Sequence, residues 1–222
     1  MMATSSLATD FRSMRDAMVA CQLRTNAVSD PRVVTAMARV PRERFVPAEG
    51  AALAYRDTAV ALGGGRALNL PIAIGRLLTE AALLPGDRVL LIGAATGYTA
   101  AVLAEMGAEV VAVEADADLA RAARAALADV AHVSLVEGGL AQGHAAGAPY
   151  DVLFVDGAVE ELPAALVAQL RDGGRIVTGI VDRGVTRLAA GRYSAGAFGL
   201  IDFLDTECVV LPGFARQRGF SF

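Results

Sequence analysis

Apolar positions near the start of the chain recur at helical spacing. Between Phe11 and Arg24, Met14, Met18 and Cys21 fall at i, i+4 and i+7, while Arg12, Arg15, Asp16 and Arg24 lie elsewhere. That spacing predicts an amphipathic helix with Cys21 on its core face. Ser29-Asp30-Pro31 reads as a second helix start, a capping side chain followed by proline at the first helical position. Val33, Val34, Met37 and Val40 continue it as an apolar stripe until Pro41, and Phe45-Val46-Pro47 closes the unit. Two short helices cannot build a core alone. Residues 1–50 are therefore expected to form a helical cover on a body spanning 51–222, within one domain.

A glycine turn at Gly63-Gly64-Gly65 precedes Pro71, which opens a predicted helix over Ile72–Leu83, and Pro85-Gly86-Asp87 is a turn. Strand and helix then alternate. Strands are expected at Val89–Ile92, Glu109–Val113, Val133–Val136, Val152–Val155 and Arg175–Ile180. Helices are expected at Gly97–Met106, from Asp116 to Ala128, and at Leu162–Leu170. This alternation implies an α/β fold: a mostly parallel sheet with helices on both faces. Beyond Ile180 the runs Val185–Leu188, Ala197–Phe203 and Thr206–Leu211 contain glycine breaks and no helical period, which predicts an antiparallel edge. The tail from Pro212, with Phe214, Phe220 and Phe222, is expected to pack on the body.

Composition narrows the function classes. The chain has 222 residues, is 55% hydrophobic and carries a net charge of −4, ample for a core. Such an acidic balance argues against a nucleic-acid backbone binder, which needs a basic surface. All 20 basic residues are arginine, which excludes lysine Schiff-base and P-loop chemistry. Cys21 and Cys208 form neither a metal-ligand spacing nor a redox pair, so a reducing, cytoplasmic setting is expected. The longest uncharged run, Val89 to Ala104, is too short and too polar to span a membrane, and Met1–Ser13 lacks the regions of a signal peptide.

The strongest chemical signal is Leu90-Leu91-Ile92-Gly93-Ala94-Ala95-Thr96-Gly97-Tyr98. A glycine-containing turn leaves a buried strand and opens a helix, whose first N–H groups lack intrahelical partners. Glu114 follows Gly93 by 21 residues, at the end of the next strand, where a carboxylate can accept from both hydroxyls of a ribose. This is the architecture of a nucleoside-cofactor site. Asp156 ends the fourth strand on the ligand side of the sheet; it either joins that site or caps the following turn. His132 and His144 have no second ligand nearby in sequence, and no metal site is expected.

Several ordered blocks resemble the protein-L-isoaspartate O-methyltransferase family. They are Met18-Val19-Ala20-Cys21-Gln22-Leu23-Arg24, Asp30-Pro31-Arg32, Val40-Pro41-Arg42 with Phe45-Val46-Pro47, Tyr55, Pro71, Pro85 to Leu90, Gly97-Tyr98, Glu114, Pro149-Tyr150-Asp151 and Gly173-Gly174-Arg175. The resemblance runs from about Met14 to Val177 and implies a class I, Rossmann-like methyltransferase using S-adenosylmethionine. It further implies methylation of the α-carboxylate of isoaspartyl residues in damaged proteins, the ester then collapsing to a succinimide. By that resemblance Gly93, Ala94, Gly97 and Tyr98 line the methionine part of the cofactor, Glu114 holds the ribose, Gly138 takes the adenine-facing position, and Asn69 orients the acceptor.

The departures from the family fall on these same positions. Ala67-Leu68-Asn69-Leu70-Pro71 stands where the family has threonine-isoleucine-serine-glutamine-proline, whose hydroxyl helps hold the substrate carboxylate. Leu91 replaces an acid, Ala95 a glycine, and Gly138 an acid with Glu137 one residue away. A carboxylate acceptor is already nucleophilic, so loss of one orienting hydroxyl lowers rather than abolishes turnover, and the Asn69 amide can donate in its place. Because Ala67, Asn69, Leu91, Ala95 and Gly138 all depart at positions the family uses, turnover on isoaspartyl peptides is expected to be low or absent compared with a standard family member. Two other readings fit the same residues: a small-molecule methyltransferase on this fold, and a non-catalytic member acting as a binding protein.

Overall fold

The computed structural model describes residues 10–216. Helix α1 (Phe11–Met18) runs into a wide π-type turn over Val19–Leu23. Helix α2 (Pro31–Arg39) starts as expected: the Asp30 carboxylate accepts from Arg32 N and Pro31 takes the first position. A two-stranded hairpin, β1 (Val60–Gly63) and β2 (Arg66–Leu68), precedes α3 (Pro71–Ala81). The body continues through β3 (Arg88–Ile92), α4 (Tyr98–Glu105), β4 (Glu109–Glu114), α5 (Ala117–Ala126) and β5 (Val133–Glu137). It finishes with β6 (Tyr150–Val159), a short α6 (Ala164–Val167), β7 (Leu170–Asp182), β8 (Val185–Ser194) and β9 (Ala197–Asp205).

Seven strands form one sheet in the order β5-β4-β3-β6-β7-β8-β9. The strands from β5 to β7 are parallel, and β8 and β9 add an antiparallel edge. The fold is the expected Rossmann-like one. Strand order reverses between β3 and β6, so a crevice opens at the carboxyl ends of these two strands, where open α/β sheets bind ligands.

The cover packs on this body through a shared core. Met18, Leu23, Val33 and Met37 bury against Ile74, Leu77 and Leu78 of α3. A polar seam ties the same parts together. Gln22 Nε2 donates to Tyr55 O at 2.9 Å, and Arg15 donates to the Tyr55 hydroxyl at 2.7 Å and pairs with Glu43. Arg42 is wholly buried, its Nε donating to Ala54 O at 2.6 Å and its Nη2 to Asn69 O. Its guanidinium lies over the Tyr98 ring, 4.7 Å from the centroid.

Three sequence expectations need correction. Cys21 is exposed, because the π-type turn spaces the buried residues Met18 and Leu23 five apart and rotates Cys21 outward. The helix expected over Leu162–Leu170 is only α6, since Tyr150 N takes Gln169 O and Leu170 pairs with Tyr150 in the sheet. Thr206–Leu211 forms no strand beyond one bridge between Val210 and Ala158. The β1–β2 hairpin around the glycine turn was not anticipated, its strands being too short to show a period of two. Phe214 is buried as expected; Phe220 and Phe222 lie outside the described residues.

Replacing Arg42 by alanine leaves two buried carbonyls without their donor and opens a cavity beneath the cover. We expect a loss of about 3–5 kcal/mol of unfolding free energy, read from urea denaturation of the wild type and Arg42→Ala. A loss below about 1 kcal/mol would show that the guanidinium is dispensable to the seam.

Candidate active site

The turn after β3 is built by two left-handed glycines and one left-handed alanine. Gly93 has φ 80° and Gly97 φ 100°, a region open to glycine without steric cost. Ala95, between them, has φ 50°, which costs its β-carbon roughly 1–2 kcal/mol. The substitution noted in the sequence therefore sits at a strained position. The turn is anchored because Gly93 N and Ala94 N both donate to Val113 O, at 3.0 and 3.1 Å. Leu91, where the family has an acid, is wholly buried.

Glu114 ends β4 with its side chain fully buried. Its Oε2 accepts from Ala95 N at 2.7 Å, and its Oε1 accepts from Ala115 N at 2.9 Å and Asp116 N at 3.0 Å. Arg66, from β2, grips both oxygens, Nη1 to Oε1 at 2.6 Å and Nη2 to Oε2 at 3.1 Å. Gly138, just past β5, donates its N–H to Glu114 O at 2.9 Å, so the adenine-side position adjoins the end of β4.

A second buried polar cluster lies beside the end of β6. Asp156 Oδ2 accepts from Thr99 Oγ1 at 2.5 Å, and Oδ1 from Asn69 Nδ2 at 3.2 Å. It therefore joins Asn69 and α4 and is not spent on capping a turn. Asn69 Nδ2 also reaches Cys208 Sγ at 3.3 Å, and its Oδ1 accepts from Leu70 N at 3.1 Å and Val209 N at 3.3 Å. Burial pushes the Asp156 carboxyl above the usual carboxylate range, with the Thr99 and Asn69 donors only partly opposing it. Burial also pushes the Cys208 thiol up to about 12, so it is neutral at physiological pH and not a nucleophile. Tyr98, wholly buried at the start of α4, has its hydroxyl unpartnered among the described residues.

The structure thus brings Asn69, Gly93, Ala94, Gly97, Tyr98, Glu114 and Asp156 to the carboxyl ends of β3, β4 and β6, with Gly138 at the adjoining rim. His132 lies elsewhere, exposed against Glu109. No group of three or more His, Cys, Asp or Glu able to hold a metal occurs among the described residues. Sequence reasoning missed Arg66, Thr99, Cys208 and Leu211. A lone arginine three residues before Asn69, at the exit of a glycine turn, is a usable signal for the first; the others have no local signature.

The donor set suits a nucleoside with a charged amino-acid tail. A carboxylate at the end of β4 matches a ribose diol, a second carboxylate at the end of β6 matches an ammonium, and the first turn of α4 offers backbone N–H groups.

Asp156 also has a stability consequence. A carboxyl whose folded pKa is raised above its ordinary 3.8 binds its proton more readily in the folded state. Its contribution to stability is greatest at low pH and falls as pH rises through that interval. Asp156→Asn removes the titration and keeps the bond accepted from Asn69, its amide nitrogen then donating to Thr99 Oγ1. Urea midpoints at about pH 5 and about pH 8 should therefore show wild type losing stability relative to Asp156→Asn at the higher pH. Parallel behaviour of the two proteins would mean that the carboxyl does not titrate abnormally.

Comparison with known proteins agrees with this geometry. A family model for protein-L-isoaspartate(D-aspartate) O-methyltransferase matches residues 14–196. A protein-L-isoaspartate O-methyltransferase from Methylorubrum populi is 40% identical over 199 residues, covering 86% of this chain and 93% of that one. One from Koribacter versatilis is 36% identical over 222 residues, covering 99% of both. A solved protein-L-isoaspartate O-methyltransferase superposes with a TM-score of 0.79 at 26% identity, over 90% of this chain and 66% of that one. A Plasmodium falciparum protein assigned to the same class, solved with S-adenosyl-L-homocysteine, shares the fold at a TM-score of 0.73 and 18% identity, over 92% of this chain and 99% of that one. With the family model covering the cover, the hairpin, the Gly93 turn and the strands through β8, this chain belongs to the protein-L-isoaspartate O-methyltransferase family.

Proposed function

We propose that the protein is an S-adenosylmethionine-dependent carboxyl O-methyltransferase whose acceptor is the α-carboxylate of isoaspartyl residues. The observation that carries this reading is the convergence of the Gly93–Tyr98 turn, Glu114 and Asp156 at the β3–β6 switch point, in a chain whose relatives bear that enzyme's name. In this reading Glu114 holds the ribose, with Gly138 beside it toward the base. Gly93, Ala94, Gly97 and Tyr98 line the methionine portion, and Asp156 faces its ammonium.

S-adenosylmethionine, when bound, supplies a sulfonium methyl group open to attack. The remaining requirements fall on the chain. An ionised carboxylate needs no general base, so the residues around Asn69 act by orientation and by excluding water. The Asn69 amide donates to one acceptor oxygen and leaves the other free for in-line approach. The Arg42 grip on Asn69 O fixes that segment relative to the cover. Methylation converts a carboxylate into a methyl ester, from which the neighbouring backbone nitrogen displaces methanol to close a succinimide. Its hydrolysis returns part of the damaged residue to normal aspartate.

The test is methyl transfer from radiolabelled S-adenosylmethionine to an isoaspartyl peptide, with the matching aspartyl peptide as control. We expect slow but selective transfer, and an increase in kcat/KM of roughly 5–10-fold in Asn69→Ser, whose hydroxyl would reach the acceptor without the competing bonds that the Asn69 amide makes to Asp156 and Cys208. Transfer to neither peptide, by either protein, while cofactor still binds would move the acceptor to another chemical class. A calorimetric titration showing no cofactor binding would favour the non-catalytic reading.

A further inference from the structure

The ribose-binding carboxylate has no capacity left. An ionised carboxylate offers about four lone-pair sites, and Glu114 already accepts from three backbone N–H groups and two arginine N–H groups. The backbone donors belong to the Gly93 turn and to the start of α5, and cannot leave without unfolding them. The arginine can. Arg66 stands on a two-stranded hairpin that forms no part of the main sheet and is marginal on its own. The hairpin tip lies on the same edge, since a methyl group on Gly64 would sit 3.3 Å from Asp116 Oδ2.

The neighbouring crevice is filled as well. After β9 the chain crosses the carboxyl ends of β3 and β6 as a strap. Ala158 N donates to Val209 O at 2.7 Å, and Leu211 N donates to Ala158 O at 2.9 Å. The Leu211 side chain lies in the switch-point crevice: a methyl on Gly93 would meet Leu211 Cδ1 at 2.9 Å, and one on Gly157 would meet Leu211 Cγ at 2.5 Å. Asn69, at the exit of the hairpin, holds the strap through Val209 N and Cys208 Sγ. Hairpin and strap are thereby joined at one residue.

We propose that Arg66 and Leu211 set the cofactor affinity of this protein by holding its own cleft shut, Arg66 taking the place of a ribose hydroxyl on Glu114 and Leu211 the place of the ligand over Gly93. This rests on the nucleoside-binding reading above. Cofactor entry then requires the Arg66–Glu114 pair to part and the strap to lift, and Asn69 couples the two movements. The apparent dissociation constant is the intrinsic one divided by the fraction of molecules with the cleft open. Lifting the strap also frees the Asn69 amide from Cys208, so that N–H becomes available to orient the acceptor only once the cofactor is seated.

The experiment is calorimetric titration of S-adenosylhomocysteine into wild type, Arg66→Gln and Leu211→Ala, each checked by thermal unfolding. Loss of either contact raises the open fraction, so each variant is expected to bind at least about tenfold tighter than wild type. A merely structural role predicts the opposite sign, because breaking a buried pair disorders the site. Affinity equal to or weaker than wild type in both variants overturns the proposal and leaves the methyltransferase reading standing. Absence of binding by all three proteins overturns that reading and the proposal with it. Should Arg66→Gln fail to fold, Leu211→Ala carries the test, together with hydrogen exchange on wild type. Added S-adenosylhomocysteine should then speed exchange of hairpin amides 60–68 while protecting 93–98. Protection of both segments overturns the proposal.

Discussion

A charged carboxylate buried without solvent must be surrounded by donors, and Glu114 imposes that demand on three parts of the chain at once. It draws the turn after β3 inward through Ala95 N, the start of α5 through Ala115 N and Asp116 N, and the hairpin through Arg66. Ala115 N and Asp116 N are local to Glu114, but Ala95 and Arg66 lie 19 and 48 residues from it and are brought to it only by the fold. Removing the carboxylate would leave a buried guanidinium and several buried N–H groups unsatisfied, each costly in a medium that cannot solvate them. The group that serves as ribose acceptor in the proposed function is thus also the tie that shapes the cleft.

Arg42 plays the matching part on the other side. Its guanidinium is the point where the cover, the segment leading to the hairpin and the face of Tyr98 meet. Several residues through which the chain resembles its family, among them Gln22, Arg42 and Tyr55, belong to this seam and not to the chemistry. That division explains how the scaffold blocks can be retained while Asn69, Leu91 and Ala95 differ from the family pattern. The seam needs donors facing particular carbonyls, a demand that Asn69, Leu91 and Ala95 do not share. Ala95 illustrates the cost of such anchoring: it is held in the left-handed region at φ 50° by the bonds at Val113 O and Glu114.

Much of the architecture was legible in the sequence because it is written in local terms. The Asp30-Pro31 start, the alternation of apolar runs and helices from Val89 to Ile180, and the placement of Glu114 at a strand end all depend on residues within one element of each other. Periodicity and capping report such features directly. Where local rules failed, a competing interaction can be named. The π-type turn shifted the buried face away from Cys21, and pairing of Leu170 with Tyr150 shortened α6.

The occupancy of the cleft was decided only in three dimensions. Arg66 and Glu114 are 48 residues apart, and Asn69 and Val209 are 140 apart. Leu211, in a run that reads as one more strand, instead lies across the ends of β3 and β6 because Ala158 offers it a free N–H and carbonyl. A side chain's partner across such distances leaves no periodic trace, since neither residue's neighbours need change for the contact to form. By itself the sequence determined the sheet, the turn and the acid that suit a nucleoside. The tertiary structure alone determined that an arginine and a leucine of the same chain stand in its place.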